Sequence, residues 1–194
     1  MIPFVNISNK YYNMRMTLIG TEVSGATFNK IFKGNKFKFL NNDLKHHEFQ
    51  YSIGLNVDTI RFVSDTDLIG GLWFCDYSAI HYWWNRYGQK LGIVEIPDDA
   101  RVFIAGFEFG KIISFKADKL IIKDIMKFSE VPDDFWLYIM VRDVSALQWV
   151  ANQTEDIFEF ACKYRPSACD YIRDTELREQ YNTRFNNDCR CIIC

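Results

Sequence analysis

The chain has no long apolar run, no surplus of positive charge, and only four prolines and three histidines among its 194 residues. Each shortage excludes something. With no apolar stretch near ~20 residues, a transmembrane helix is not expected. With 23 basic against 25 acidic residues and a formal net charge of −2, the basic field needed to bind nucleic acid non-specifically is missing. The opening residues Met1–Asn6 lack a charged segment leading into an apolar one, so no secretory signal is expected and the protein is placed in a cytoplasm. Stable disulfides are uncommon there. Cys75, Cys162 and Cys169, each in apolar sequence, are therefore expected as small buried hydrophobes.

What the chain has in quantity is aromatic side chains: 17 Phe, 10 Tyr and 5 Trp. That supply can fill the core of one domain with a small appendage. It also leaves aromatics at a surface where a partner covers them.

Up to about Val131, short apolar runs broken by Gly, Asn and Asp predict strands with few helices. Phe37–Leu40, Phe49–Ile53, Leu72–Phe74, Gly92–Ile96, Arg101–Ile104 and Lys119–Ile122 are the expected strands. Ser24–Gly34 fits a short helix through Phe28, Ile31 and Phe32. A second helix is expected over 79–87, capped by Asp76 or Ser78 and ended by Gly88. On it Ile80, Trp83, Trp84 and Tyr87 share a core-facing side. Tyr82 and Arg86 then lie on the rim, and with Tyr77 they are the candidate interface residues, since interfaces favour Tyr, Trp and Arg as anchors.

From about Pro132 the period becomes helical, and the chain aligns with itself. Ser145–Asn152 matches Ser167–Asp174, and Phe135–Val141 matches Ile157–Lys163. Two such units, each a helix, a turn and a shorter helix, are too few to stand alone as a solenoid. They are expected to cap the first domain. The expected fold is α+β: a mixed or antiparallel sheet domain over 1–131, a helical repeat-like cap over 132–188 and a Cys-rich tail over 189–194.

Candidate chemistry is thin. His46-His47-Glu48 invites a metal reading, but adjacent histidines diverge on a strand or a helix and make no simple chelate. Cys75, Asp76 and His81 could form a thiol nucleophile with a base, which requires an accessible, electropositive setting. Glu95 is the conceivable acid of an ADP-ribosyltransferase-like site. The tail Cys189-Arg190-Cys191-Ile192-Ile193-Cys194 has three readings. Cys191 could carry a prenyl group, with Cys189 a second lipid for membrane association. Cys189, Cys191 and Cys194 could supply three of the four ligands of a zinc site. The tail could also be inert or oxidisable.

Three motifs remain: Gly54-Leu55-Asn56-Val57-Asp58, Gly70-Gly71-Leu72-Trp73-Phe74-Cys75-Asp76 and Ile96-Pro97-Asp98-Asp99-Ala100-Arg101-Val102. Physically they read as architecture: Gly70-Gly71 frees the backbone entering a buried strand, and Asn56 and Asp58 suit a turn. Together with Phe115-Lys116-Ala117-Asp118-Lys119, the series resembles uncharacterised proteins of mimivirus-type and marseillevirus-type giant viruses, over roughly Phe49 to Ile122. Ala146–Asp174 separately resembles short helical repeats of the same viruses. The resemblance implies a viral protein of the host cytoplasm, possible packaging in the virion, and no transferred active site. The expected function is a non-enzymatic module binding a host factor, a virion protein or a second copy of itself as a homodimer. The alternative is a small transferase or hydrolase with its site between sheet and cap.

Overall fold

The computed structural model describes residues 15–46, 48–85, 88–107 and 112–188. Arg86, Tyr87 and His47, and the tail residues Cys189, Cys191 and Cys194, lie outside them. The fold is α+β. The chain divides into two compact units, one running to Lys127 and the other beginning at Phe128.

The first unit is built on an eight-stranded antiparallel sheet. Its strands are β1 (Glu22–Ser24), β2 (Lys36–Leu40), β5 (Gly54–Val57), β6 (Leu72–Asp76), β7 (Lys90–Glu95), β8 (Arg101–Phe107), β9 (Ile112–Ala117) and β10 (Lys119–Lys127). A two-residue ribbon, β3 (Lys45–His46) with β4 (Phe49–Gln50), stands apart. The order across the sheet is β1-β8-β9-β6-β2-β7-β10-β5. Two four-stranded halves are joined at β6 and β2, where only Lys36 with Asp76 and Phe37 with Cys75 are in register.

Alternation puts Leu72 and Phe74, Val102 and Ile104, and Phe115 and Ala117 on one face, where they form the main core. Helix α1 (Gly25–Ile31) closes that face. Ser24 caps it, its hydroxyl accepting from Thr27 N–H at 3.2 Å. Phe28 and Phe32 then stack at 5.0 Å, and each meets Phe115 edge-on at 4.8 Å. The opposite face carries Trp73 and Cys75, Phe103, Ala105 and Phe107, and Ser114 and Lys116. Phe62, Phe103 and Ala105 make a smaller cluster there, with Trp73 and Phe107 packed on it.

Gly70 and Gly71 both have positive φ, +100° and +104°. A Cβ at Gly70 would collide with the Arg61 carbonyl oxygen and one at Gly71 with the Lys116 side chain. The Gly-Gly pair is thus required for backbone conformation and for space together. The expected helix over 79–87 is shorter: α2 spans Ile80–Trp83, and Asp76 caps the preceding turn through Ser78 rather than the helix. Beyond the helix, Gly88 lies so close to Leu40 that a Cβ would meet its carbonyl oxygen at 2.0 Å. The expected strand Phe49–Ile53 contracts to β4, and Tyr51 turns inward to the core.

The second unit alternates helices with 3-10 turns: α3 (Asp133–Met140), a turn over Val144–Trp149, α4 (Glu155–Tyr164), a turn over Pro166–Tyr171, then α5 (Thr175–Asp188). Asp133 holds the backbone N–H groups of Ala151 and Asn152 at 2.6 and 2.9 Å. Gln153 donates to the carbonyls of Leu147 and Tyr171 and accepts from Arg173 N–H, so one amide ties both turns together. Trp136, fully buried, stacks on Trp149 and donates to the Phe128 carbonyl. Among the described residues no helix is long and apolar enough to cross a membrane.

Candidate functional site

Because β2 and β6 share only two residue pairs, their continuations diverge, and a cavity of about 230 Å³ opens in the wedge. Phe37, Lys38 and Phe39 line it from β2, and Trp73, Phe74 and Cys75 from β6. Ser114, Phe107, Trp83, His46 and Thr66 complete the lining. Phe37, Phe39, Cys75 and Ser114 are buried, while Trp73, Trp83, Phe107 and Thr66 keep some exposure. The Trp83 indole N–H donates to Ser114 Oγ at 2.6 Å, which fixes the ring against the cavity.

Lys38 is the unusual group. Every residue of β2 is buried, because the strand is central and both its faces are covered, so the lysines at 36 and 38 go inside with it. Lys36 is satisfied at the end of α1, donating to the carbonyls of Phe32 and Gly34 at 2.7 and 2.6 Å. Lys116, the third buried lysine, donates to the carbonyls of Asp65 and Leu68, each at 2.8 Å. Lys38 Nζ instead meets His46 Nδ1 at 2.8 Å and lies 4.9 Å above the Tyr51 ring. Among the described residues it has no carboxylate at ion-pair distance. An ammonium there donates to Nδ1 and so selects the Nε2–H tautomer of the imidazole. Burial pulls the Lys38 amine down to about 7, and Lys36 to about 8.

Cys75 is 2% exposed, not the accessible thiol that the nucleophile reading requires. The residue sits at the cavity, but burial, reinforced by the adjacent Asp76 carboxylate, pushes its thiol well up, opposite to what a nucleophile needs. Cys162 and Cys169 are fully buried, their sulfurs 2.7 Å apart in the second unit. His46 contacts an amine, and among the described residues no cluster of three metal-ligating side chains occurs. Glu95 is exposed and paired with Lys123 at 3.2 Å. It does not line the cavity.

Of the candidate interface residues, Tyr77 and Tyr82 are both half-buried against the cavity's walls. Tyr77 meets Phe37 edge-on at 5.8 Å, and Tyr82 packs on Trp83 and Phe107 at 4.8 and 6.2 Å. Trp83, expected in the core, is half-buried as one of those walls.

A second feature was not found by sequence reasoning. At the β5 end of the sheet, Ile53, Leu55 and Val57 are 65, 58 and 53% exposed on one face. Ile60, Leu68 and Ile69 are exposed in the segment that follows. Asn56, expected in a turn, is instead the buried residue of this strand. Its amide accepts from Ser52 N–H and donates to the carbonyls of Ser52 and Gly54, a closed set of local partners. Asp58 does hold a turn, accepting from Ile60 N–H at 3.0 Å and from Gly71 N–H.

No protein-family model, no curated protein and no solved structure matches this chain.

Proposed function

We propose that this chain is a protein-interaction module that self-associates through the β5 edge, as a homodimer of antiparallel β5 strands. One observation carries the reading: β5 is an edge strand whose exposed residues, Leu55 and Val57, are apolar and, with Ile53 just before the strand, more than half exposed. Natural edges are blunted by lysine, proline or a bulge, and Gly54–Val57 has none of these. A second copy is the occupant best matched to it. Antiparallel pairing about a two-fold axis places a strand without charge against itself, so no like charges meet. The giant-virus resemblance implies the host cytoplasm as the setting of this association, and a virion protein is an alternative partner to a second copy.

The test is the mass in solution, by light scattering or native mass spectrometry, of the full chain and of Leu55→Lys. The expected result is a dimer that Leu55→Lys shifts to monomer with unchanged helix and sheet content. Tyr82→Ala should leave the dimer intact. A wild-type monomer at tens of micromolar concentration, where a weak dimer with Kd near ~1 μM would persist, rejects the reading.

A further inference from the structure

We infer that the cavity between β2 and β6 is a binding site for a small monocyclic aromatic carboxylate, its ring held among Phe37, Trp73, Trp83 and Phe107 and its carboxylate at Lys38 Nζ. Size comes first. An apolar cavity of ~150 Å³ accepts one benzene ring, so about 230 Å³ holds a ring and one small polar substituent. The walls set the class of ring. Six Phe and Trp side chains line the space, the two tryptophans offering large, rigid faces.

Charge decides the substituent. The sheet buries three lysines, and two of them end on pairs of backbone carbonyls. Lys38, only 3% exposed, has an imidazole nitrogen and a ring face, with no carbonyl or carboxylate among the described residues. Lys38 and His46 both belong to the cavity's lining. A buried amine in that state is costly unless a counter-charge joins it. A ligand carboxylate supplies one, with a charge-assisted hydrogen bond. Ser114 Oγ, already accepting from Trp83, has its own proton to offer the ligand. The inference does not depend on the β5 edge and survives if the protein proves monomeric.

Trp73 and Trp83 make intrinsic fluorescence the natural readout. The full chain is titrated with benzoate, with benzamide as the neutral isostere, and with acetate as the anion without a ring. Benzoate should saturate, at least about tenfold tighter than either control. In Lys38→Met, benzoate and benzamide should bind alike. Equal binding of benzoate and benzamide by the wild type, no saturation by benzoate, or a benzoate preference that persists in Lys38→Met would each overturn the assignment. Should Lys38→Met fail to fold, hydrogen exchange on the wild type decides. Benzoate must protect Lys36–Leu40 and Leu72–Asp76, and protection confined elsewhere rejects the site.

Discussion

The two halves of the sheet differ in how completely their polar groups and edges are closed. In the half formed by β1, β8, β9 and β6, the edge strand β1 is three residues long and continues directly into α1. A Glu22–Arg101 ion pair at 2.7 Å crosses it, and Arg101 also covers the Phe62 ring. The buried lysine of that half, Lys116, has both its carbonyls. The half formed by β2, β7, β10 and β5 ends in an uncharged edge with three apolar side chains in solvent, and its Lys38 has no counter-charge among the described residues. This second half retains the two features that a partner or a ligand would complete.

Breaking the closed half should produce the largest effect. Gly25, at the junction of β1 and α1, donates to the Ala100 carbonyl at 2.7 Å, and a Cβ there would lie 1.8 Å from the Pro97 carbonyl oxygen. Neither partner is a flexible side-chain end, so backbone must move. Gly25→Ala is expected to lose about 3 kcal/mol or more, read as a drop in the thermal unfolding midpoint. The same substitution at Gly20, where nothing lies within 4 Å, meets no such approach but only the strain of that residue's own positive φ, and should cost less. Equal losses at both positions would show that the close approach at Pro97 does not matter.

Lys38 gives the next effect, with the opposite sign. Its folded-state pKa is near 7 against an ordinary 10.5. Between those values the unfolded chain holds a proton that the folded chain has released, so stability rises with pH across that window. Below about 7 both states are protonated and the full burden of the buried charge remains. Lys36, near 8, adds a smaller rise of the same sign. Lys38→Met should therefore stabilise the protein at pH 7 by on the order of 2 kcal/mol and flatten the rise towards pH ~9.5, leaving the part due to Lys36. Urea unfolding of both proteins at several pH values checks this, and an unchanged slope in the variant would remove Lys38 as its source.

How much of this was legible in the sequence depended on whether a residue's position was decided by its neighbours in the chain. The helix within Ser24–Gly34 was readable from the spacing of Phe28, Ile31 and Phe32, which lie within one segment, whereas its Ser24 cap was found only in the structure. Gly70-Gly71 was readable because two glycines before an apolar run demand a special backbone. The β5 edge was not. Ile53, Leu55 and Val57 around Asn56 read locally as apolar residues near a polar turn, and the structure inverts that pattern because Asn56 finds all its partners within its own loop. Which strand stands at an edge is a property of the whole sheet. Likewise, Phe37-Lys38-Phe39 alternates as if one face met water. Only the central place of β2 buries both faces, and only its early divergence from β6 opens the cavity. Tyr77 and Tyr82 were singled out for their residue type, and the structure sets both against that cavity's walls.

The smallest expected effect sharpens the contrast between the two edges. Glu22 is held below the usual carboxylate range, chiefly by its hydrogen bond to Arg101 and with help from Ser64. Because the folded-state pKa is depressed, this contribution is present above the ordinary Glu value of 4.5 and is lost as pH falls through the folded one. The pair is partly exposed, with side chains 53 and 32% accessible, so screening keeps its contribution to about 0.5 kcal/mol. Glu22→Gln should therefore hardly move the unfolding midpoint. If charge at an edge acts mainly to prevent strand addition, its effect appears elsewhere. Glu22→Val with Arg101→Val should turn β1 into a second adhesive edge, and the dimer built through β5 should extend into larger, concentration-dependent assemblies in light scattering. A double variant that stays dimeric would mean that α1, rather than the ion pair, closes this edge.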